Sequence, residues 1–283
     1  MLDLPQAQTA EESKNLRDVS AARESLLSGE PRRDQQVQAV YVQDRRMERE
    51  SPMMHYHGTP ITPKSVMWSL AGRNFCVRYG EHRDVTLAHE IGQSVVIDNG
   101  AWPVHRSGAV ADWPGFMAWV RPWLDYPTTW AIIPDVIDGS EADNDRLLTV
   151  WYAEMKDFRQ AAPVWHLHES FDRLIRLTRG FDKICFGSSR EFVNIGTTRW
   201  NNRVNEAFNL ICKGSGRPPC WIHMLRGMSL SGSIYPFASV DSTDIAQNHH
   251  IKKNAVEMAD RWDSVQCKGR WEIKPTQREM ETA

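Results

Sequence analysis

The sequence predicts an α/β protein, a single (β/α)8 TIM-type barrel with a polar N-terminal extension, and three observations carry that prediction. About eight short apolar segments alternate with amphipathic ones, the pattern of strands in a parallel sheet joined by helices. Two of those segments, Ser94-Val-Val-Ile-Asp98 and Pro236-Phe-Ala-Ser-Val-Asp241, run straight into an aspartate followed by small or turn-forming residues. In a parallel barrel such C-terminal strand ends form the rim that carries the chemistry. Finally, 283 residues with 41% hydrophobic content can bury one large core. Strand count alone leaves an open doubly wound sheet in play. No Gly-x-Gly-x-x-Gly follows a strand, however, and no phosphate-binding loop is present.

Taken in order, residues 1–50 are rich in Gln, Glu, Asp and Arg, with no hydrophobic run before 37–42. They are expected to form a mobile or loosely helical extension. The catalytic barrel is expected over 51–266. Its strands are read at 54–57, 75–79, 95–98, 130–135, 163–168, 183–187, 220–225 and 237–241, each apolar or mixed. Between them, 141–158, 170–180 and 200–213 place apolar residues at helical spacing. Residues 244–265 are expected to close the barrel as a helix, and the polar tail 267–283 to fray.

Bulk properties exclude several classes. Cys76, Cys185, Cys212, Cys220 and Cys267 show no paired short spacing, so neither a zinc knuckle nor a disulfide framework is indicated. Without a signal peptide or a long apolar span, the expectation is a soluble cytoplasmic protein with no membrane partner. A formal net charge of −2 gives no bulk support for nucleic-acid binding, so any such contact must come from a local patch.

The predicted rim collects His55 and His57, Asp98 and Asn99, Asp135 and Asp138, His166 and His168, Gly187 with Ser188 and Ser189, His223 with Arg226, and Asp241. Taken singly, Asp98 or Asp241 reads equally well as a helix cap or an Asx-turn. Both emerge from apolar strands, and burial raises a carboxylate's pKa unless a partner stabilises the anion. Two such acids in one lumen divide naturally, one holding a proton and one ionised. Within Val164-Trp-His-Leu-His168 both histidines share one strand face, as do His55 and His57. Trp102 follows the rim loop and could stack on a planar ligand, and the Gly187-Ser188 turn allows close backbone approach. Lys252 and Lys253, near His249 and His250, suit a phosphate or simply a solvated helix face.

Asp98-Asn-Gly-Ala-Trp102 is similar to the Asp-Ser-Gly-Gly-Phe segment of tRNA-guanine transglycosylases, and Ser239-Val-Asp241-Ser-Thr243 to the Phe-Asp-Ser-Ala segment of the archaeal branch. More closely, His55-Tyr-His-Gly-Thr-Pro60, Ile-Asp98-Asn-Gly, Ile-Pro134-Asp-Val-Ile-Asp-Gly139, Trp165-His-Leu-His-Glu169 and Phe186-Gly-Ser-Ser189 resemble the phage- and genomic-island-encoded DpdA-type DNA 7-deazaguanine transglycosylases. The resemblance spans about residues 53–250. It implies a pentosyltransferase that flips guanine out of DNA and exchanges it for a 7-deazaguanine of the preQ0 type, without a cofactor. Asp241 would be the nucleophile on C1′ and Asp98 would manage the proton. Asp135, or alternatively Asp138, would bind the base edge. His166 or His168 would replace a base-reading glutamine, and Gly187, Ser188, Asn99, Trp102 and Met224 would complete the base site. Partners would be DNA, the free base, and either a second copy of the chain or accessory DNA-modification proteins, in a bacterial or phage-infected cell. The Cys-x-Cys-x-x-Cys…His zinc site and the docking subdomain of the tRNA enzymes are missing from the sequence, which shifts weight toward DNA. Two alternatives stay open: a metal-dependent barrel hydrolase using His55, His57, His166, His168 and Asp241, and a non-catalytic nucleic-acid-binding barrel.

Overall fold

The computed structural model describes residues 52–156, 160–251 and 254–275. The expected N-terminal extension, Lys252, Lys253 and the last eight residues lie outside them. Among the described residues nine strands run parallel: β1 (Met54–Gly58), β2 (Asn74–Arg78), β3 (Ser94–Asp98), β4 (Thr129–Ile132), β5 (Ala161–Ala162), β6 (Val164–His166), β7 (Lys183–Gly187), β8 (Trp221–Met224) and β9 (Ser239–Ser242). Their order is β5-β4-β3-β2-β1-β9-β8-β7-β6. The two edge strands, β5 and β6, are halves of one chain segment interrupted at Pro163, which has no N–H to give a ladder. Ala162 O accepts from Ile133 N–H at 2.9 Å on one side, and Pro163 O from Cys185 N–H at 2.8 Å on the other. One segment therefore bonds both edges, and the sheet is a nearly closed barrel. Nine strands and the eight expected describe the same ring.

Helices flank this barrel: α1 (Lys64–Trp68), α2 (His82–Ile91), α3 (Ala101–Ser107), α4 (Trp113–Val120), α5 (Glu141–Glu154), α6 (Phe171–Gly180), α7 (Thr198–Ile211), α8 (Asp244–Asn248) and α9 (Ala255–Asp263). Several begin where the sequence supplies a cap. Ser140 and Asp143 form a reciprocal capping box on α5, and Ser170, Thr197 and Asn254 cap α6, α7 and α9. The single helix expected over 244–265 is two helices, because the Asn254 cap starts a new one. The tail does not fray over 267–275. Trp271 stacks on Tyr235 with centroids 5.8 Å apart, and its indole N–H reaches Asn209 Oδ1 on α7 at 2.9 Å. No helix among the described residues is long and apolar enough to cross a membrane.

Strand alternation sorts the core into two layers. Tyr56, Cys76, Val96, Trp130, Ile132, Val164 and Cys185 cluster in the lumen. Their strand neighbours, among them Phe75, Ile97, Trp165, Phe186, Met224 and Val240, face the helices in the larger cluster.

One buried ion network fixes the exit of β6. Glu169 Oε2 accepts from His166 N–H at 2.9 Å and from Arg173 at 2.6 Å, while Asn144 donates to Oε1 at 2.9 Å. Arg173 also donates to Val164 O at 2.8 Å, and both charged side chains are almost fully buried. Glu169→Ala would leave the buried Arg173 with only the partly exposed Asp145 carboxylate, 3.0 Å from its Nε, and would orphan the His166 and Asn144 donors. We therefore expect a loss of about 2–4 kcal/mol in urea unfolding. An unchanged urea midpoint would show that Asp145 alone suffices to hold Arg173.

Candidate active site

The C-terminal strand ends surround a pocket with about 490 Å³ of empty space, part of it open solvent. Asp98, Asn99 and Trp102 enter it from the β3 exit, Asp135 from β4, His166 from β6, Gly187 and Ser188 from β7, Arg226 from β8 and Asp241 from β9. Ala101, Ile132, Ile137 and Leu225 supply apolar wall that the sequence reading did not single out.

Asp98 ends β3 pointing inward, because Ser94 and Val96 point inward before it. Its Oδ1 accepts Gly100 N–H at 2.7 Å. Desolvation, reinforced by the nearby Asp241 and Asp135 carboxylates, pushes its carboxyl up to about 6 despite the Gly100 hydrogen bond and the Arg78 charge. Asp241 differs. Arg226 N–H donates to its Oδ1 at 2.8 Å, and His223 Nε2 lies 3.2 Å from the same oxygen. The Asp241 side chain keeps 13% exposure, and Oδ2 has no hydrogen bond to a described residue.

Asp135 is spent on neighbours. Asn99 donates to its Oδ1 at 2.7 Å, and His166 Nε2 sits 2.8 Å from Oδ2. A carboxylate only accepts, so Nε2 carries the proton and a neutral His166 presents Nδ1 as an acceptor. That nitrogen is buried without a hydrogen-bond partner. Asn99 Oδ1 accepts Ala101 N–H at 2.8 Å, which locks its amide. Asp135 thus orients His166, and the imidazole is the group left to read a ligand. Gly187 makes room for the ring: a Cβ there would lie 2.7 Å from His166 Nδ1 and 2.9 Å from Val164 Cγ1. Gly187→Ala should displace His166 and cost about 1–3 kcal/mol by overpacking. Thermal unfolding would register it, and an unchanged midpoint would show that the ring gives way at no cost.

At the pocket wall the Arg226 guanidinium lies 4.2 Å from the Trp102 ring centroid and donates to Ser188 O at 3.2 Å. Burial lowers its pKa from the usual arginine value, opposed by the Asp241 charge. The lumen thiols Cys76 and Cys185 are pushed well up by burial, which leaves them inert as nucleophiles at neutral pH.

Five residues expected at this site are elsewhere. His55 and His57 share a face, as read, but it is the outer face, since Tyr56 between them points into the lumen. They meet Asp263 of α9, with His55 Nδ1 at 3.7 Å and His57 Nε2 at 3.5 Å from its Oδ1. His168 lies past the end of β6 and is fully occupied by Ser189 Oγ at 2.6 Å and Gly139 O at 2.9 Å. Asp138 is exposed and accepts Arg190 N–H at 3.1 Å. Met224 faces the helices, and the lumen residue is the next one, Leu225. The ligand set of the hydrolase alternative is accordingly divided between the two faces of the sheet. Among the described residues, no three His, Cys, Asp or Glu side chains gather as a metal site. His223 is more deeply placed than a rim residue, fully buried below Asp241. Comparison with protein-family models, with curated proteins and with solved structures finds no match.

Proposed function

We propose that the protein exchanges guanine in DNA for a 7-deazaguanine of the preQ0 type through a covalent aspartyl-glycosyl intermediate. The observation that carries this reading is the contrast between two carboxylates in one pocket. Asp241 offers an oxygen without a hydrogen-bond partner among the described residues, while the Asp98 carboxyl, raised to about 6, can hold and release a proton close to neutrality. That is the division of labour a double displacement at an anomeric carbon needs.

In the first half, Asp241 Oδ2 attacks C1′ and the bond from C1′ to the base nitrogen breaks. The bonding pair leaves with guanine, and the Asp98 carboxyl supplies the proton that neutralises it. In the second half, Asp98, now a carboxylate, takes the proton from the ring nitrogen of the incoming base. That nitrogen attacks C1′, and Asp241 leaves with its electron pair. One proton is given and one recovered, so the enzyme returns to its starting state.

The acids sit inside a pocket at the strand ends, so a base in a duplex must be flipped out of the stack to reach them. Trp102 with Arg226 suits stacking and phosphate proximity, and His166 Nδ1 suits an N–H of the guanine edge. The resemblance to the DpdA-type enzymes supports DNA as the acceptor.

The test is incubation with DNA and a labelled 7-deazaguanine, digestion to nucleosides and detection of incorporated label. Incorporation into tRNA but not DNA would overturn the substrate assignment and leave the chemistry standing. Incorporation into neither would sink the proposal.

A further inference from the structure

We infer that His223 is a positioning residue that ties down Asp241 Oδ1 and leaves Oδ2 as the reactive oxygen, its tautomer set by the Asp241 carboxylate and its ring steadied by Ser239 and Trp221. Its kinetic consequence rests on the transglycosylase reading, whereas the relay itself rests on geometry alone.

A hydrogen-bond chain runs along the lumen from β8 to β9. Trp221 Nε1 donates to Ser239 Oγ at 2.7 Å, Ser239 Oγ lies 2.8 Å from His223 Nδ1, and His223 Nε2 lies 3.2 Å from Asp241 Oδ1. Its two ends have no choice of direction. An indole N–H can only donate, and a carboxylate can only accept. Nε2 must therefore carry the proton, and in the neutral ring Nδ1 accepts from the Ser239 hydroxyl. Ser239 Oγ has a second lone pair, so the carboxylate at the other end is what sets the direction of the ring.

The ring is locked from the sides as well. His223 is fully buried, with Tyr56 edge-on at 5.8 Å and Trp130 at 5.2 Å. Tyr56 is itself held by Ser94 at 3.0 Å and by the Trp130 indole at 3.0 Å. The second donor to Oδ1, Arg226 N–H, is aimed by a left-handed backbone at a residue other than glycine (φ 58). Such conformations are costly and cluster at functional sites. Two independent devices thus converge on one oxygen of one carboxylate.

During attack, charge drains from Oδ2 into the new bond to C1′. When the incoming base displaces the aspartate, the charge returns and spreads onto Oδ1, where the two donors stabilise the departing carboxylate. His223 touches neither base nor sugar in this scheme and acts through Asp241.

Long-range proton–nitrogen NMR on the labelled full-length chain reads the relay directly. The expected result is a protonated Nε2 and a bare Nδ1 on His223, kept in Ser239→Ala because the Asp241 carboxylate alone holds the Nε2 proton. A protonated Nδ1 in the parent protein would overturn the inference. In the exchange assay, His223→Phe should lower kcat by roughly 10- to 100-fold with KM for DNA within about twofold, as expected for lost transition-state hydrogen bonding. His223→Gln, which restores an N–H donor, should recover most of the rate. Equal rates for His223→Phe and the parent would sink the positioning role. Absence of any exchange by the parent would strike the transglycosylase reading, and the ring nitrogens would still decide the relay.

Discussion

Asp241→Asn is expected to abolish the covalent DNA adduct and to lower base exchange by at least roughly 10⁴-fold, the scale seen when a nucleophile is removed from a site that acts as a unit. The substitution is informative because it changes little else. Asparagine keeps an oxygen at the Oδ1 position, so the Arg226 N–H and the His223 ring retain their acceptor. Its amide nitrogen takes the place of the oxygen without a protein partner. Folding should be unaffected, and circular dichroism with a urea midpoint would establish that. Loss of the Asp241 charge also removes one of the influences that raise Asp98, so the Asp98 carboxyl should titrate lower in this variant. Intact-mass detection of protein–DNA adducts is the decisive measurement. An adduct that survives the substitution would mean that another group attacks.

The barrel and its two acids were legible because apolar strands of similar length recur along the chain and because Asp98 and Asp241 end two of them. What the sequence could not supply was the absolute facing of a strand. His55 and His57 were correctly placed on one face, but the side that face takes depends on the neighbouring strands. Tyr56 pairs with Asp241 in the ladder and shares its inward direction, which sends both histidines outward. Met224 failed by one residue for the same reason, since a shift of one in a strand inverts every side chain. His168 failed because β6 stops at His166 and the Glu169 network turns the chain. Asp138 failed because its side chain, one residue past the pocket-lining Ile137, is exposed and bonded to Arg190 N–H. Ser239 could have been found by stepping two residues back from Asp241 along the same face. The split at Pro163 and the docking of Trp271 depend on contacts far along the chain, and no local pattern announces them.

Asp98→Asn tests the other half of the chemistry and carries a stability signature of opposite sign. The Asp98 carboxyl moves from 3.8 to about 6 on folding. Between those values the folded protein holds a proton that the unfolded chain has released, so stability falls as pH rises through the window and the loss is complete above it. At 1.36 kcal/mol per unit, the shift corresponds to about 3 kcal/mol in the ionised state, an upper figure for a side chain that still sees some solvent. Asparagine carries no charge to desolvate and keeps the oxygen that accepts Gly100 N–H. The variant should therefore be more stable than the parent at pH 8 by about 1–3 kcal/mol, or roughly 3–10 °C in Tm for a domain of this size. At pH 4 the difference should vanish. Exchange should meanwhile fall by roughly 10²- to 10⁴-fold, the usual contribution of a positioned acid or base. Adduct formation by the parent should decline as pH rises through about 6, where Asp98 loses its proton, and that limb should be missing from the variant. Calorimetry at the two pH values separates the explanations. A helix-capping aspartate would lose stability on substitution at both, whereas a carboxylate held at a cost for proton transfer gains it only where it would otherwise be ionised.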